Sequence, residues 1–225
     1  MITMAQRLDI RRQLVSLTGP IFVETLLIML VGFVDVFMLS RISDNAVASV
    51  GLANQILMLV NMVFMIGVMG VTVVCSQYIG AKDEKSFVQT ISAAVAYNVF
   101  MGVVIGIFFT FFSPELVDFL DAKEELVDNA VIYFEIVGGL SILTCMNMTY
   151  SGIMRSCNLA RYPMYVSIVA NILNIIGNYT LIFGKFGFPA LGVEGAAIST
   201  VISRFVACSL LFYAIKSQRV RESIF

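Results

Sequence analysis

Six apolar stretches separated by short polar breaks run through the sequence, at residues 14–39, 50–79, 87–112, 131–153, 163–183 and 193–215. Each reaches the length of about 20 residues that a helix needs to cross the hydrocarbon core of a bilayer. None alternates polar and apolar side chains with period two. Backbone exposed to lipid must satisfy its own hydrogen bonds, so the stretches read as helices rather than barrel strands. Residues 1–225 are therefore expected to form a single transmembrane unit of an all-α membrane protein. With 59% hydrophobic and 13% charged residues in a chain of 225, no length is left for a sizeable soluble catalytic domain, and an enzyme is not expected. A net charge of −1 gives no electrostatic case for binding nucleic acid. There is no His, and the four Cys (Cys75, Cys145, Cys157 and Cys208) show no CxxC spacing, so neither a metal site nor an extracellular disulfide is expected. The first stretch follows Arg7, Arg11 and Arg12 but is too long for a secretory signal and lacks a small-residue cleavage site; it reads as a retained helix.

Positively charged loops stay on the cytoplasmic side. Arg7, Arg11, Arg12, Lys82, Lys85, Arg155, Arg161, Lys216, Arg219 and Arg221 fall on one set of flanks, against Arg41, Lys123 and Lys185 on the other. Both termini are expected in the cytoplasm, in a cell (plasma or inner) membrane. Ser113-Pro114-Glu115 looks like an N-cap with proline at the first helical position. It would open an acidic, partly helical outer loop at 113–129, read as solvated rather than as an ion funnel.

Three ionisable side chains stand out inside the stretches: Glu24, Asp35 and Arg204. Such groups are costly at bilayer depth and turn toward the bundle interior or water. Glu24 and Asp35 are eleven residues apart, which places them within about 20° on one helix face and about 16 Å apart along its axis. Arg204 comes out at a depth similar to Glu24, so a Glu24–Arg204 ion pair is expected. Asp35 has no cation expected at its own depth. It reads as a group that binds H⁺ or Na⁺, or as a helix-end carboxylate reaching the headgroups.

The fifth stretch carries Ser167, Asn171, Asn174 and Asn178 at helical spacing. Amides facing lipid would be unsatisfied, so this polar stripe must face other helices or a cavity, as packing contacts or as a cation or substrate site. In the second stretch Asn54, Met58, Asn61, Met65 and Met69 share a broad face. It suits a pocket for varied organic molecules, or serves as gap-filling at a helix contact. Thr144, Asn147 and Ser151 form a smaller stripe in the fourth. Gly102-x-x-x-Gly106 and the run 192–197 read as sites of close helix approach.

Several segments in order resemble the MATE family, the multidrug and toxic compound extrusion transporters. Gly19-Pro20-Ile21-Phe22-Val23-Glu24 through Gly32-Phe33-Val34-Asp35 is similar to that family's first helix, with Asp35 on its characteristic acidic position. Ser76-Gln77-Tyr78-Ile79-Gly80-Ala81-Lys82-Asp83 resembles its Q-Y-x-G-A-x-D boundary. Asn174 through Asn178, then Leu181-Ile182-Phe183-Gly184 and Pro189-Ala190-Leu191-Gly192-Val193-Glu194-Gly195-Ala196-Ala197, resemble its fifth and sixth helices. The resemblance implies a secondary antiporter with no cofactor, exchanging H⁺ or Na⁺ for organic cations or other amphiphilic compounds. It also implies a twelve-helix fold in two six-helix lobes, of which this chain would be the N-terminal one. Asp35, Asn174 and Asn178 would hold the coupling cation, with a possible Na⁺ on Asp35. Glu24, Asn54, Asn61, Met65, Asn147, Asn171 and Arg204 would line the polar cavity. Asn178 stands where some members have Asp; an amide helps coordinate a cation but cannot carry a proton, so titration would fall on Asp35, with Glu24 in reserve.

A full member needs about twice this length. The chain is accordingly expected to be a truncated first lobe, or a half-size subunit pairing with a second lobe or with a copy of itself. Two other functions fit the same composition: a lipid-linked precursor flippase of related fold, which would show more cationic residues along its cavity, and a non-transporting membrane subunit.

Overall fold

The computed structural model describes the backbone of residues 4–217 and the side chains of residues 15 and 17–217. The side chains of Arg7, Arg11 and Arg12, and all of Arg219 and Arg221, on which the expected orientation partly rests, lie outside the described residues. The chain is a bundle of α1 (Met4–Ser40), α2 (Asp44–Ala81), α3 (Glu84–Phe119), α4 (Glu124–Tyr133), α5 (Ser141–Ser156), α6 (Arg161–Phe183) and α7 (Val193–Lys216). Among the described residues five helices are long and apolar enough to cross a membrane, and α4 with α5, bent by 47° at the break between them, passes the same test as a pair, which gives five to six spans. This is an all-helical, multi-pass membrane fold, as the six apolar stretches predict. Large apolar side chains such as Phe33, Ile66 and Phe111 stay exposed on its outside, where a bilayer is the solvent.

Two connections are very short, and the sequence accounts for both. After α1, Ser43 accepts from the Ala46 N–H at 3.0 Å and starts α2. At the far end of α2, Lys82 takes a left-handed conformation (φ 57°) and Asp83 caps α3, accepting from the Ser86 N–H at 3.0 Å and the Ser86 hydroxyl at 2.7 Å. Gly80-Ala81-Lys82-Asp83 is thus a tight helical hairpin. Those hydrogen bonds hold the Asp83 carboxyl below the usual carboxylate range.

Small residues set the helix spacing where expected. A Cβ on Gly102 would sit 2.7 Å from the Ile142 Cα, and one on Gly195 would sit 2.7 Å from the Leu181 backbone, so α3 meets α5, and α6 meets α7, at backbone contact. Apolar packing divides into two clusters. One gathers Leu39, Val50, Phe109, Phe134, Val137 and Ala197, with Phe109 stacked on Phe134 at 5.3 Å between ring centres. The other gathers Cys75, Phe87, Met146, Tyr150, Ile153 and Leu211. On α7, Thr200 and Arg204 fall between Ala197 of the first and Leu211 of the second, so a polar layer separates the two.

Two expectations are corrected here, and the fourth span shows a break. Ser113-Pro114-Glu115 is not a helix start: α3 continues through Pro114 to Phe119, with the Ser113 hydroxyl turned back to the Phe109 carbonyl. Proline there costs α3 one backbone hydrogen bond without ending it, and the outer loop shrinks to residues 120–123. The fourth span is not straight: α4 runs into a π-helical turn at Phe134–Gly138 before bending into α5. That span also carries a fourth intramembrane ionisable group, Glu135, which lies exposed on the π turn.

Candidate cation site

The site is assembled on α6. Residues 174 and 178 are one turn apart, both amides are buried, and both point into the bundle. Asn178 Nδ2 donates to Asp35 Oδ1 of α1 at 2.5 Å and to Asn174 Oδ1 at 3.2 Å. Asn174 Nδ2 in turn donates to Thr200 Oγ1 of α7 at 3.3 Å. The Ser199 hydroxyl donates to the Asn174 carbonyl at 2.9 Å and locks α6 to α7 at this level. The Tyr133 phenol of α4 interacts with the side chains of Thr200 and Asn54. The structure therefore joins Asp35, Asn178, Asn174 and Thr200 in one hydrogen-bonded chain, with Tyr133 beside Thr200 and Asn54 at its edge.

Asn178 is completely buried, yet its Oδ1 has no hydrogen-bond partner among the described residues. An amide oxygen left bare in the interior is costly, by about 1–3 kcal/mol. The amide turns its N–H, not this oxygen, toward Asp35, so the carboxylate is the hard donor in place, suited to a proton or Na⁺, and the amide oxygen joins it only if the Asn178 amide turns over.

Arg204 belongs to this layer. One turn from Thr200 on α7, its Nη1 donates to Thr144 Oγ1 at 2.8 Å, and Asn147 Nδ2 donates to its backbone carbonyl at 2.9 Å. Its guanidinium acts electrostatically on Asp35 and Tyr133. Asp35 thus has a cation that acts on it through space without touching it, where none is expected from the sequence.

Glu24 is not Arg204's partner. It is buried against Arg155 of α5, whose Nη2 donates to Glu24 Oε2 at 2.8 Å, and it also accepts from the Ser167 hydroxyl of α6 at 3.4 Å. Arg155 looks from the sequence like a basic flanking residue; its long side chain returns into the bundle, where a carboxylate without a cation would be costly. Asn171, between the two levels on the α6 stripe, keeps its Nδ2 unpartnered among the described residues, as does the Nε of Arg155.

The second-helix group is less enclosed. Asn54, Met58, Met65 and Met69 are exposed and Asn61 is half-buried, so this face lies on the surface of the bundle. Sequence reading misses Tyr133, Thr200 and Arg155. Thr200 carries a signal, being one turn from Arg204 on the same face; a single tyrosine in an apolar stretch carries none.

The model of one protein family, MatE, matches residues 20–180. The chain is 40% identical over 193 residues to "Uncharacterized transporter YisQ" of Bacillus subtilis, covering 86% of this chain and 42% of that protein. It is 35% identical over 213 residues to "Probable multidrug resistance protein NorM" of Thermotoga maritima, covering 92% and 45%. Its fold matches a crystal structure of MATE in the bent conformation with a TM-score of 0.83, at 24% identity over 93% of this chain and 46% of that one. It matches the outward-facing conformation of a multidrug resistance MATE family transporter of the MOP superfamily with a TM-score of 0.81, at 22% identity over 94% and 50%. The chain belongs to the MatE family, whose members are membrane transporters and not enzymes. It spans about half the length of the curated relatives it matches. The matched segment contains Asp35, Asn174 and Asn178 and stops short of Thr200 and Arg204.

Proposed function

We propose that this chain forms the N-terminal six-helix lobe of a secondary exporter in the cell membrane, with both termini cytoplasmic. The exporter moves organic cations or other amphiphilic compounds outward in exchange for H⁺ or Na⁺. A second lobe, from a longer chain or from a second copy, completes the path. The observation that carries the coupling role is the Asp35 carboxylate held by the buried Asn178 amide, whose own oxygen is left bare and whose N–H is joined through Asn174 to Thr200 of α7. A cation entering from outside neutralises Asp35, displaces the Asn178 N–H from the carboxylate and, as the amide turns over, satisfies its oxygen. That changes the contact holding α1 to α6 and biases the lobe toward the state that releases substrate. The exposed Asn54, Met58, Met65 and Met69 face offers adaptable thioethers to the substrate.

The test is efflux of a fluorescent organic cation from proteoliposomes carrying the two-lobe transporter, with Na⁺ and pH gradients imposed separately. Asp35→Asn is expected to abolish gradient-driven efflux, and whichever gradient drives the wild type identifies the ion. Wild-type efflux by Asp35→Asn overturns the coupling role.

A further inference from the structure

We propose that Arg204 is a positioning residue for the coupling ion: a tethered internal cation that competes with the ion for Asp35 and so sets how tightly the lobe holds it. This rests on the reading of Asp35 as the coupling site.

Arg204 is eleven residues from the start of α7 and twelve from its end, about 17 Å from either, so its guanidinium lies near the middle of the span. Guanidinium does not lose its charge there. Yet among the described residues it has no carboxylate within 4 Å; its side-chain bond is to the neutral hydroxyl of Thr144. The same lobe shows what a closed intramembrane pair looks like, in Glu24 and Arg155 at 2.8 Å. If Arg204 were only neutralising a buried acid, the same closed contact with Asp35 would be expected. It is instead held off by Thr144, one turn from Thr200, which the Asn178–Asn174 relay reaches. The groups acting on Asp35 are Asn178 from α6, as a hydrogen-bond donor, and Arg204 from α7, across space; Tyr133 of α4 stands within the field of both charges.

This arrangement gives Arg204 a definite effect on the ion. With Asp35 empty, the guanidinium balances the carboxylate through space. With a monovalent cation on Asp35, two positive charges share one negative charge in a medium of low dielectric, and the ion is held less firmly than the carboxylate and amide alone would hold it. An antiporter must release its ion as well as bind it, and Arg204 supplies a fixed charge that favours release. Thr144 holds that guanidinium, and Asn147 holds the backbone of α7 beneath it.

The test is equilibrium binding of ²²Na⁺ to the purified chain in lipid nanodiscs, against a choline background. Arg204→Gln and Arg204→Met are expected to tighten sodium binding by about tenfold or more, and Arg204→Lys to stay within about twofold of wild type. Asp35→Asn should remove binding in every background. A variant disturbed in its fold loses affinity, so a gain separates the charge effect from a packing defect. Unchanged or weaker binding in both neutral variants, with Asp35→Asn still abolishing it, overturns the role of Arg204 and leaves the coupling site standing. Binding that survives Asp35→Asn overturns the coupling site itself. No sodium binding in any variant overturns this proposal.

Discussion

Asp35 and Asn178 are joined by a 2.5 Å hydrogen bond between α1 and α6, and the register that aligns them also aligns Glu24 with Ser167. Both members of the second pair lie eleven residues earlier in their helices. The two helices thus run parallel, touching through a carboxylate at each of two levels about 16 Å apart. Removing the donor at one level should weaken that level alone. Asn178→Ala leaves Asp35 without its hydrogen bond, and thermal melting followed by circular dichroism should register a loss of about 1–2 kcal/mol. A Tm equal to wild type would show that the contact adds nothing to the fold.

At the other level the partner is charged. Glu24→Gln leaves Arg155 without its carboxylate, a change that costs about 3–5 kcal/mol for a fully buried pair. Arg155 keeps partial access to solvent, at 35% relative exposure, so a loss of about 2 kcal/mol is expected. Glu24→Gln combined with Arg155→Met should recover part of it in a double-mutant cycle. Strictly additive losses would mean that the two side chains are not coupled.

Backbone contact between helices makes some glycines irreplaceable and others not. Gly102→Ala drives a methyl against Ile142 on α5 and should destabilise by about 1–3 kcal/mol, whereas Gly70→Ala on α2 meets nothing within 4 Å and should be neutral or mildly stabilising. The pair can be compared by chemical denaturation in one detergent. Equal effects at the two positions would contradict the close α3–α5 approach.

Asp83 predicts a pH dependence outside the membrane. Its carboxyl lies below the usual value of 3.8 because the Ser86 hydroxyl and N–H both donate to it. A lowered folded-state value contributes stability that is complete above the unfolded value and is lost as pH falls through the folded one. The Tm difference between wild type and Asp83→Ala should therefore be constant from neutrality down to about pH 5 and shrink as pH falls below 3.8. A difference that widens on acidification would reverse the sign of the cap's contribution.

The spans and the α6 stripe are legible in the sequence because both rest on periodicity: apolar length gives the first, and amides at three- and four-residue spacing give the second. The partner of Glu24 is not. Counting residues from a helix end gives depth but not which helix stands alongside, and at the depth of Glu24 that neighbour is α5 rather than α7. The charge on Arg204 was visible, its proximity to Asp35 was not, for the same reason. Pro114 misleads in another way: Ser-Pro-Glu has the composition of a helix start, and only the continuation of α3 beyond it shows that a proline can be carried within a helix already formed. Tyr133 reaches Thr200 and Asn54 from a neighbouring element, a contact without local pattern.

The bend between α4 and α5 divides more than a helix. Tyr133, Phe134 and Val137 pack in one apolar cluster, while Met146, Tyr150 and Ile153 pack in the other. The two halves of that span are therefore anchored in separate apolar clusters and meet at Gly139 and Leu140, where the π turn ends and the span bends. Such a span has the build of an articulated rod rather than of a piston, with the level of Tyr133 and the level of Arg155 on opposite sides of its joint.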